Sequence, residues 1–146
     1  MIKKYYKTQT EKAINNFPFS FRSSKREFIY AIVEIKKAAV IGHYLAGELS
    51  QQKKQAIVKA CDEILSGKHQ SQFFLPAFQG GAGTSNHMNV NEVVAARATE
   101  ILKKTKNNKQ TIHPNDHVNM SHSTNDVMPS ALRITAVRMT NKLLFT

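Results

Sequence analysis

The chain has 146 residues, 41% of them hydrophobic and 21% charged, so it is long enough for one domain with its own core and is globular in composition, not disordered. Its single cysteine, Cys61, excludes a disulfide framework and is typical of a reducing compartment. There is no apolar run long enough to span a bilayer and no signal-peptide pattern in the opening MIKKYYKTQTEK, so we expect a cytoplasmic chain without a membrane partner.

The formal net charge of +11 raises the question of nucleic-acid binding, because basic domains attract phosphate through counterion release. The lysines, however, are spread along the whole chain, and no aromatic residues that would stack on bases alternate with them. We therefore interpret the charge as a basic, solvated surface and expect no nucleic acid as a partner. A surface of this sign would steer small anions towards a site.

Helical periodicity dominates the first half of the chain. Residues 26–50 place Phe28, Ile32, Ile35 and Ala39 at steps of three and four, which predicts a helix with one apolar face. A second helix is predicted over 51–66, and Gly67 ends it. Its apolar face comprises Ile57, Ala60, Cys61, Ile64 and Leu65.

Two further helices are predicted in the second half, over 90–105 and from near Asn125 onward, with a polar connection over 105–111. The apolar residues that predict the first helix are Val90, Val93, Val94, Ala98, Ile101 and Leu102. Those that predict the second are Leu132, Val137, Leu143, Leu144 and Phe145. Because the last helix is still apolar-periodic where the sequence stops, its face needs a partner or will associate nonspecifically. The predicted class is mainly α.

A glycine-marked polar segment, residues 79–91, precedes the third helix. Its Gly80-Gly81-Ala82-Gly83 run lets the backbone come close to a ligand, and Thr84 and Ser85 add hydroxyls. Asn89 or Asn91 is a candidate N-cap for the helix, with Glu92 near its first turn. Taken alone, the segment is equally well explained as a capped loop.

A second polar segment, residues 113–126, precedes the last helix. Ser123, Thr124 and Asn125 offer three neutral hydrogen-bonding side chains, and Asp126 and Pro129 are consistent with a helix start. Neutral donors at a helix N-terminus suit carboxylates. This segment alone could also be a helix cap, but the two segments together predict part of a small-anion site.

These segments also carry a resemblance to a known family: the chain resembles the N-terminal part of the aspartase/fumarase superfamily. The ordered landmarks run from near residue 5 to the end of the chain. They are Gln9-Thr10, Asn16-Phe17-Pro18, Lys36-Lys37-Ala38-Ala39, Ala60-Cys61-Asp62-Glu63, Gly81-Ala82-Gly83-Thr84-Ser85, Met88-Asn89, Asn91-Glu92, His113-Pro114-Asn115-Asp116 and Ser123-Thr124-Asn125-Asp126.

The resemblance implies a mainly α fold in two parts. Residues 1–122 would form the N-terminal lyase domain that carries the Gly-Ala-Gly-Thr-Ser loop. Residues 123–146 would begin the central long-helix bundle, truncated here. Family members assemble into homotetramers through that bundle, so a homotetramer is expected if the missing domains complete the chain.

Within the family, the Gly-Ala-Gly-Thr-Ser and Ser-Thr-Asn-Asp motifs resemble aspartate ammonia-lyases, whereas class II fumarases more often have Gly-Ser-Gly-Thr and Ser-Ser-Asn-Asp. His113 points the other way, since fumarases usually carry His-Pro-Asn-Asp. We favour the N-terminal part of an aspartate ammonia-lyase, acting on a small dicarboxylate (L-aspartate or fumarate). The alternatives are a fragment of a class II fumarate hydratase and a non-catalytic interaction protein that retains the lyase fold.

The resemblance also implies roles for particular residues. The expected substrate-binding residues are Thr84, Ser123, Thr124 and Asn125. A possible secondary anion site comprises His113, Asn115 and Asp116, although Gln110 replaces the basic residue usual for it. The family's general base is a serine on a glycine-rich loop in the later part of a longer chain, so we expect no catalytic residue and no activity in this chain alone.

No cofactor is expected, and no metal. His113, His117 and His122 are spaced across Pro114 and a probable turn, whereas zinc sites have a more definite ligand pattern. Two histidines depart from the family pattern beside the site: His87 stands where an asparagine is usual, and His122 where a glutamine is usual.

Overall fold

The computed structural model describes residues 3–18, 22–104 and 110–145. In these ranges the chain forms five α-helices: α1 Thr8–Asn16, α2 Arg26–Leu45, α3 Gln51–Leu65, α4 Thr84–Lys104 and α5 Thr124–Leu144. Short helical turns lie at Gln70–Gln72, Gly81–Gly83 and Pro114–Val118. The β-structure in the same ranges is an isolated antiparallel bridge between Ser23 and Pro76. The mainly α prediction is confirmed.

The two helices predicted in the first half are present, with one shift of face. The Ser50 hydroxyl caps α3 by accepting the Lys53 backbone N–H at 3.4 Å, and Gly67 follows the helix at φ +95°. α2 ends at Leu45, five residues before the predicted boundary, and Gly47 (φ +78°) follows it. Its predicted face is only partly right: Ile32 is buried, but Phe28, Ile35 and Ala39 are half-buried flanks. The buried stripe of α2 is Ile29, Ala31, Ile32, Val33, Lys36 and Val40.

The third predicted helix begins earlier than expected, since α4 starts at Thr84 and not at Val90. The pattern of apolar residues did not predict the first turns of α4, because the side chains buried there are polar. Asn86, His87 and Asn89 are each at most 3% exposed. Of the predicted 105–111 connection, residues 105–109 lie outside the described residues, and Gln110 and Thr111 have no regular structure. The last helix begins at Thr124, one residue from the prediction.

The proposed capping roles of Asn89, Asn91 and Glu92 are wrong, because all three lie well inside α4. Glu92 instead caps a different helix, α1, which the apolar pattern did not predict. Its carboxylate accepts backbone N–H groups of Lys7 (2.8 Å), Gln9 (2.7 Å) and Thr10 (3.1 Å), and the Thr10 hydroxyl at 2.7 Å. These are the orphan donors of a helix N-terminus, and a carboxylate satisfies both their hydrogen bonds and the helix dipole.

The core lies between α2, α3 and α4, with α5 packed mainly against α2. α5 is buried on one side, through Val127, Met128, Ala131 and Thr135. Its C-terminal part exposes large apolar side chains, including Leu143 (80%) and Phe145 (86%). No helix in the described ranges combines the length and the apolar character needed to cross a membrane.

Candidate functional site

The starts of α4 and α5 adjoin, so the two polar segments singled out in the sequence come together. Gly83, directly before α4, has φ +82° and packs against Met128 in the first turns of α5. A Cβ on Gly83 would lie 2.3 Å from the Met128 Cε atom. Only glycine combines this left-handed backbone with so close an approach. The glycine run therefore brings two helices together, a role that the sequence did not suggest.

The four predicted substrate-binding residues lie at these two helix starts. Thr84 is exposed, and its hydroxyl donates to the Gly81 carbonyl at 2.6 Å. Ser123 is the N-cap of α5, with its hydroxyl accepting the Asn125 backbone N–H at 3.1 Å. Thr124 is half-buried and Asn125 is exposed.

A second contact joins the two helix starts directly: the Thr124 Oγ1 atom lies 2.8 Å from Nδ1 of His87 on α4. Each helix start also carries the positive end of the helix dipole, although the Asn86 N–H donates to Gln79 Oε1 at 3.1 Å and the Asn125 N–H to the Ser123 hydroxyl. Exposed hydroxyl and amide groups at such helix starts can bind a small carboxylate without a cationic side chain.

A buried polar layer lies beneath this surface and centres on Lys36 of α2. The Lys36 side chain is fully buried, and burial lowers its pKa to about 7. Its Nζ atom donates to the Asn119 Oδ1 atom at 2.5 Å and to the His122 Nδ1 atom at 3.0 Å. The ion pairs of the described residues include none with Lys36, so its charge is held by neutral acceptors alone.

The histidines of this layer are neutral. Burial, repulsion from Lys36 and, in acid, repulsion from a protonated His122 lower the pKa of His87 to about 3. Burial and the charges of Lys36 and His43 lower the pKa of His122 to about 4. When Lys36 is protonated its ammonium can only donate, so its contact with His122 Nδ1 then leaves the ring proton of His122 on Nε2. The Nε2 atom of His87 is buried with no hydrogen-bond partner among the described residues.

The predicted secondary anion site forms a separate turn. His113 precedes the Pro114–Val118 turn, and its Nδ1 atom accepts the Asp116 backbone N–H at 3.2 Å. The side chains of His113, Asn115 and Asp116 are exposed. Behind them, the Lys53 Nζ atom lies 2.8 Å from Nε2 of His117, whose pKa burial and Lys53 both lower. A role for this turn in binding anions stays a prediction.

Sequence reasoning missed Lys36 and Glu92 as key polar residues. For Lys36 a signal was present: it continues the apolar stripe of Ile29, Ile32 and Val33 at helical spacing, which places a lysine on a buried face. For Glu92 there was none, because its partners are backbone groups more than eighty positions away. Within 3–18, 22–104 and 110–145, no group of three or more His, Cys, Asp or Glu side chains is arranged to hold a metal ion.

The described residues form a helical fold with hydroxyl and amide groups at two adjoining helix starts, and this fold is that of known lyases. A family model described as "Lyase" matches residues 2–146, and the chain belongs to this lyase family.

Its relatives carry two different names. The chain is 44% identical over 141 residues to a fumarate hydratase class II of Campylobacter jejuni, covering 97% of this chain and 30% of that protein. It is 46% identical over 142 residues to an aspartate ammonia-lyase of Bacillus subtilis, with the same coverage of each chain. Names and identities therefore support a lyase and leave the substrate open.

Solved structures agree on the fold. A fumarate lyase:delta crystallin from Brucella melitensis superimposes with a TM-score of 0.90 at 43% identity, covering 99% of this chain and 32% of that one. A class II fumarase from Schistosoma mansoni superimposes with a TM-score of 0.85 at 36% identity. The match covers 92% of this chain and 29% of that one. The chain thus spans about a third of the length of the proteins it matches.

Proposed function

We propose that the chain supplies the carboxylate-binding part of an aspartate ammonia-lyase, which converts L-aspartate to fumarate and ammonia. The observation that carries this proposal is the contact between the starts of α4 and α5, where Gly83 packs on Met128 and His87 contacts Thr124, in a chain of the lyase family.

The chemistry needs donors of this kind. A base removes the proton from the carbon next to the β-carboxylate, a carbon–carbon double bond forms, and ammonia leaves with the electron pair of the carbon–nitrogen bond. Negative charge builds on the β-carboxylate as the proton departs. Fixed hydroxyl, amide and backbone N–H donors around that carboxylate stabilise the charge and lower the barrier.

The resemblance implies that the general base lies outside this chain, on a serine loop in the later part of longer family members. The proposed role of the present residues is therefore binding and charge stabilisation. We expect no turnover by the chain alone, and a family-type homotetramer when the remaining domains are supplied.

A class II fumarate hydratase is the second candidate, favoured by the Campylobacter jejuni relative at 44% identity. The same donors would bind the carboxylate of L-malate, with water as the leaving group. Our preference for aspartate rests on the motifs at 81–85 and 123–126, in which Ala82 and Thr124 are typical of aspartate ammonia-lyases.

A non-catalytic interaction protein is the third candidate. The exposed apolar end of α5, with Leu143, Leu144 and Phe145 each at least 71% exposed, would suit binding to full-length lyase subunits. This candidate predicts association without restored activity.

Complementation tests all three. The chain is co-expressed with the part of Bacillus subtilis aspartate ammonia-lyase that follows the matched region, and fumarate formation is followed by ultraviolet absorbance with L-aspartate or L-malate. We expect activity with L-aspartate, absent when either piece is expressed alone. Activity with L-malate only would favour the hydratase, co-purification without activity the interaction protein, and no association would contradict the proposal.

The residue assignment is tested in the complemented enzyme. Thr84→Val and Ser123→Ala should each raise KM by about tenfold, in line with the loss of one hydrogen bond to a charged group. Thr111→Val is the matched control, because Thr111 is an exposed threonine outside the two polar segments 79–91 and 113–126. Unchanged KM in both site variants would remove these residues from the site.

A further inference from the structure

The turn over residues 119–122 comes directly before the proposed carboxylate-binding residues and is strained. Ser121 has φ +58°, in the left-handed region that residues other than glycine seldom adopt. Such a conformation is unfavourable and persists only where surrounding contacts fix it. The exposed Ser121 side chain has no part in fixing it, so the contacts must come from its neighbours.

Lys36 contacts both ends of this turn. Its Nζ atom donates to Asn119 Oδ1 at the first residue and to His122 Nδ1 at the last. Because the Asn119 oxygen faces the ammonium, its Nδ2 atom faces the other way and donates to the His122 carbonyl at 3.2 Å. One buried lysine thus sets the orientation of both side chains that close the turn.

Two backbone groups of the turn have partners close to this lysine. The His122 backbone N–H donates to the Asn119 carbonyl at 3.1 Å, and Nε2 of His43 donates to the Met120 carbonyl at 3.0 Å. His43 also contacts the Glu48 carboxylate through Nδ1 at 2.5 Å. The turn is therefore held from α2 by two residues, Lys36 and His43.

Stability alone does not account for a lysine at position 36. A fully buried ammonium without a carboxylate loses its hydration, and an apolar side chain of similar size in the same stripe would avoid that loss. What an apolar residue cannot do is orient Asn119 and His122.

We propose that Lys36 is a positioning residue for substrate binding: by holding both ends of the 119–122 turn, it fixes where Ser123, Thr124 and Asn125 present their donors. The substrate part of this inference rests on the proposed function, whereas the hold on the turn does not. His87 acts on the same segment from α4, since its Nδ1 atom fixes the Thr124 hydroxyl.

The first test measures backbone amide exchange in the intact chain. Lys36→Met, which keeps the length of the side chain but removes its donors, should accelerate exchange of the His122 amide and of the first-turn amides of α5 by at least about tenfold. Exchange in α3 should stay unchanged. Lys36→Gln, which retains two N–H donors, should recover part of the protection.

Lys37→Met is the matched control, because Lys37 is the next residue on α2 and pairs with Asp62 outside this layer. It should leave exchange over 119–127 unaltered. If Lys36→Met does not fold, Asn119→Ala carries the test, since it removes the acceptor of Lys36 and the donor to His122 together. Unchanged exchange at the turn in a folded variant would overturn the proposal.

The second test uses the complemented enzyme. Lys36→Met should raise KM for L-aspartate by about tenfold or more with a smaller change in kcat, because the misplaced donors bind the ground state less well. Loss of protection at the turn with an unchanged KM would make Lys36 purely structural and overturn the positioning role. A wild-type complex without activity would overturn the proposed function, and the exchange comparison would then still decide whether Lys36 holds the turn.

Discussion

Individual polar residues, buried among apolar helices, determine much of this structure. Lys36, His87 and Glu92 are each at most 3% exposed, and each contacts a segment distant in sequence. Such groups are expensive to bury unless their hydrogen bonds are complete. The stability of the chain should therefore depend on the charge of Glu92 and on the protonation of His87 and His122.

Glu92→Gln should lower the free energy of unfolding by about 2–3 kcal/mol, the usual cost of weakening several charge-assisted hydrogen bonds in a buried site. The amide nitrogen of glutamine would face backbone N–H donors of α1, so at least one donor would lose its acceptor. Urea denaturation measures the change. Glu11→Gln, which removes an exposed pair with Lys4, should cost about 0–1 kcal/mol. Equal effects would contradict a special role for Glu92.

Acid should destabilise the fold through His87 and His122. Their folded-state pKa values, about 3 and about 4, lie below the unfolded value near 6.5, so the unfolded chain binds more protons in between. Stability therefore falls as pH drops from about 6.5 towards 4, by up to about 1.4 kcal/mol per pH unit for His87 and less for the partly exposed His122.

Urea midpoints at about pH 7, 6 and 5 test this window. Glu63, whose pKa Arg97 lowers to about 2, contributes in the same direction only in stronger acid. In His87→Asn, the free energy of unfolding should fall less steeply with decreasing pH than in the wild type. If the free energy of unfolding changes equally with pH in the two proteins, His87 is protonated in the folded chain as readily as in the unfolded chain.

At the scale of elements, Gly83 lies in a left-handed conformation at the junction between α4 and α5. Gly83→Ala should destabilise the chain by about 1–3 kcal/mol, because alanine is strained at φ +82° and its Cβ would displace Met128. Gly42→Ala is the opposite case: Gly42 lies inside α2 with no atom within 4 Å of an added Cβ, so the change should stabilise by about 0.5–1 kcal/mol. Thermal unfolding of the two variants should shift in opposite directions, and a shift of the same sign would contradict this account.

The apolar helices were predictable from sequence, and the polar contacts between them were not. Cys61 and Ile64 lie on the buried face of α3 as their spacing indicates. α4 was predicted six residues short because helical periodicity counts apolar residues, and the start of α4 buries Asn86 and His87 instead. The four proposed substrate residues came from motifs and family resemblance, which contain no information on the lysine beneath them.

The burial of Cys61 determines how its thiol reacts. It is fully buried on α3, and burial raises the pKa of its thiol to about 12. We expect a thiol reagent to modify the native chain at the rate of unfolding and to react promptly in urea. Fast modification of the folded chain would show that α3 opens locally.

At the scale of the whole molecule, α5 differs from the other helices in leaving its C-terminal part uncovered. Leu143→Ser with Leu144→Ser should reduce concentration-dependent association of the isolated chain, measured by sedimentation velocity, because these side chains form part of an exposed apolar end. Leu45→Ser, a change of an equally exposed leucine at the end of α2, is the control and should leave association unchanged. Association that persists in the double variant would have to arise elsewhere. The division of the chain into domains at residue 122 stays a prediction.

The attachment of α1 has a consequence for the order in which the molecule assembles during synthesis. The Tyr5 backbone N–H donates to Gln72, the Tyr5 hydroxyl to Glu100, and the N-terminal amides of α1 to Glu92. Because all three partners are translated tens of residues later, the N-terminus of α1 has no Glu92 carboxylate to bind until α4 has been translated. The segment from Tyr5 to the end of α1 thus docks late, and until α4 has been translated it is open to proteases and chaperones.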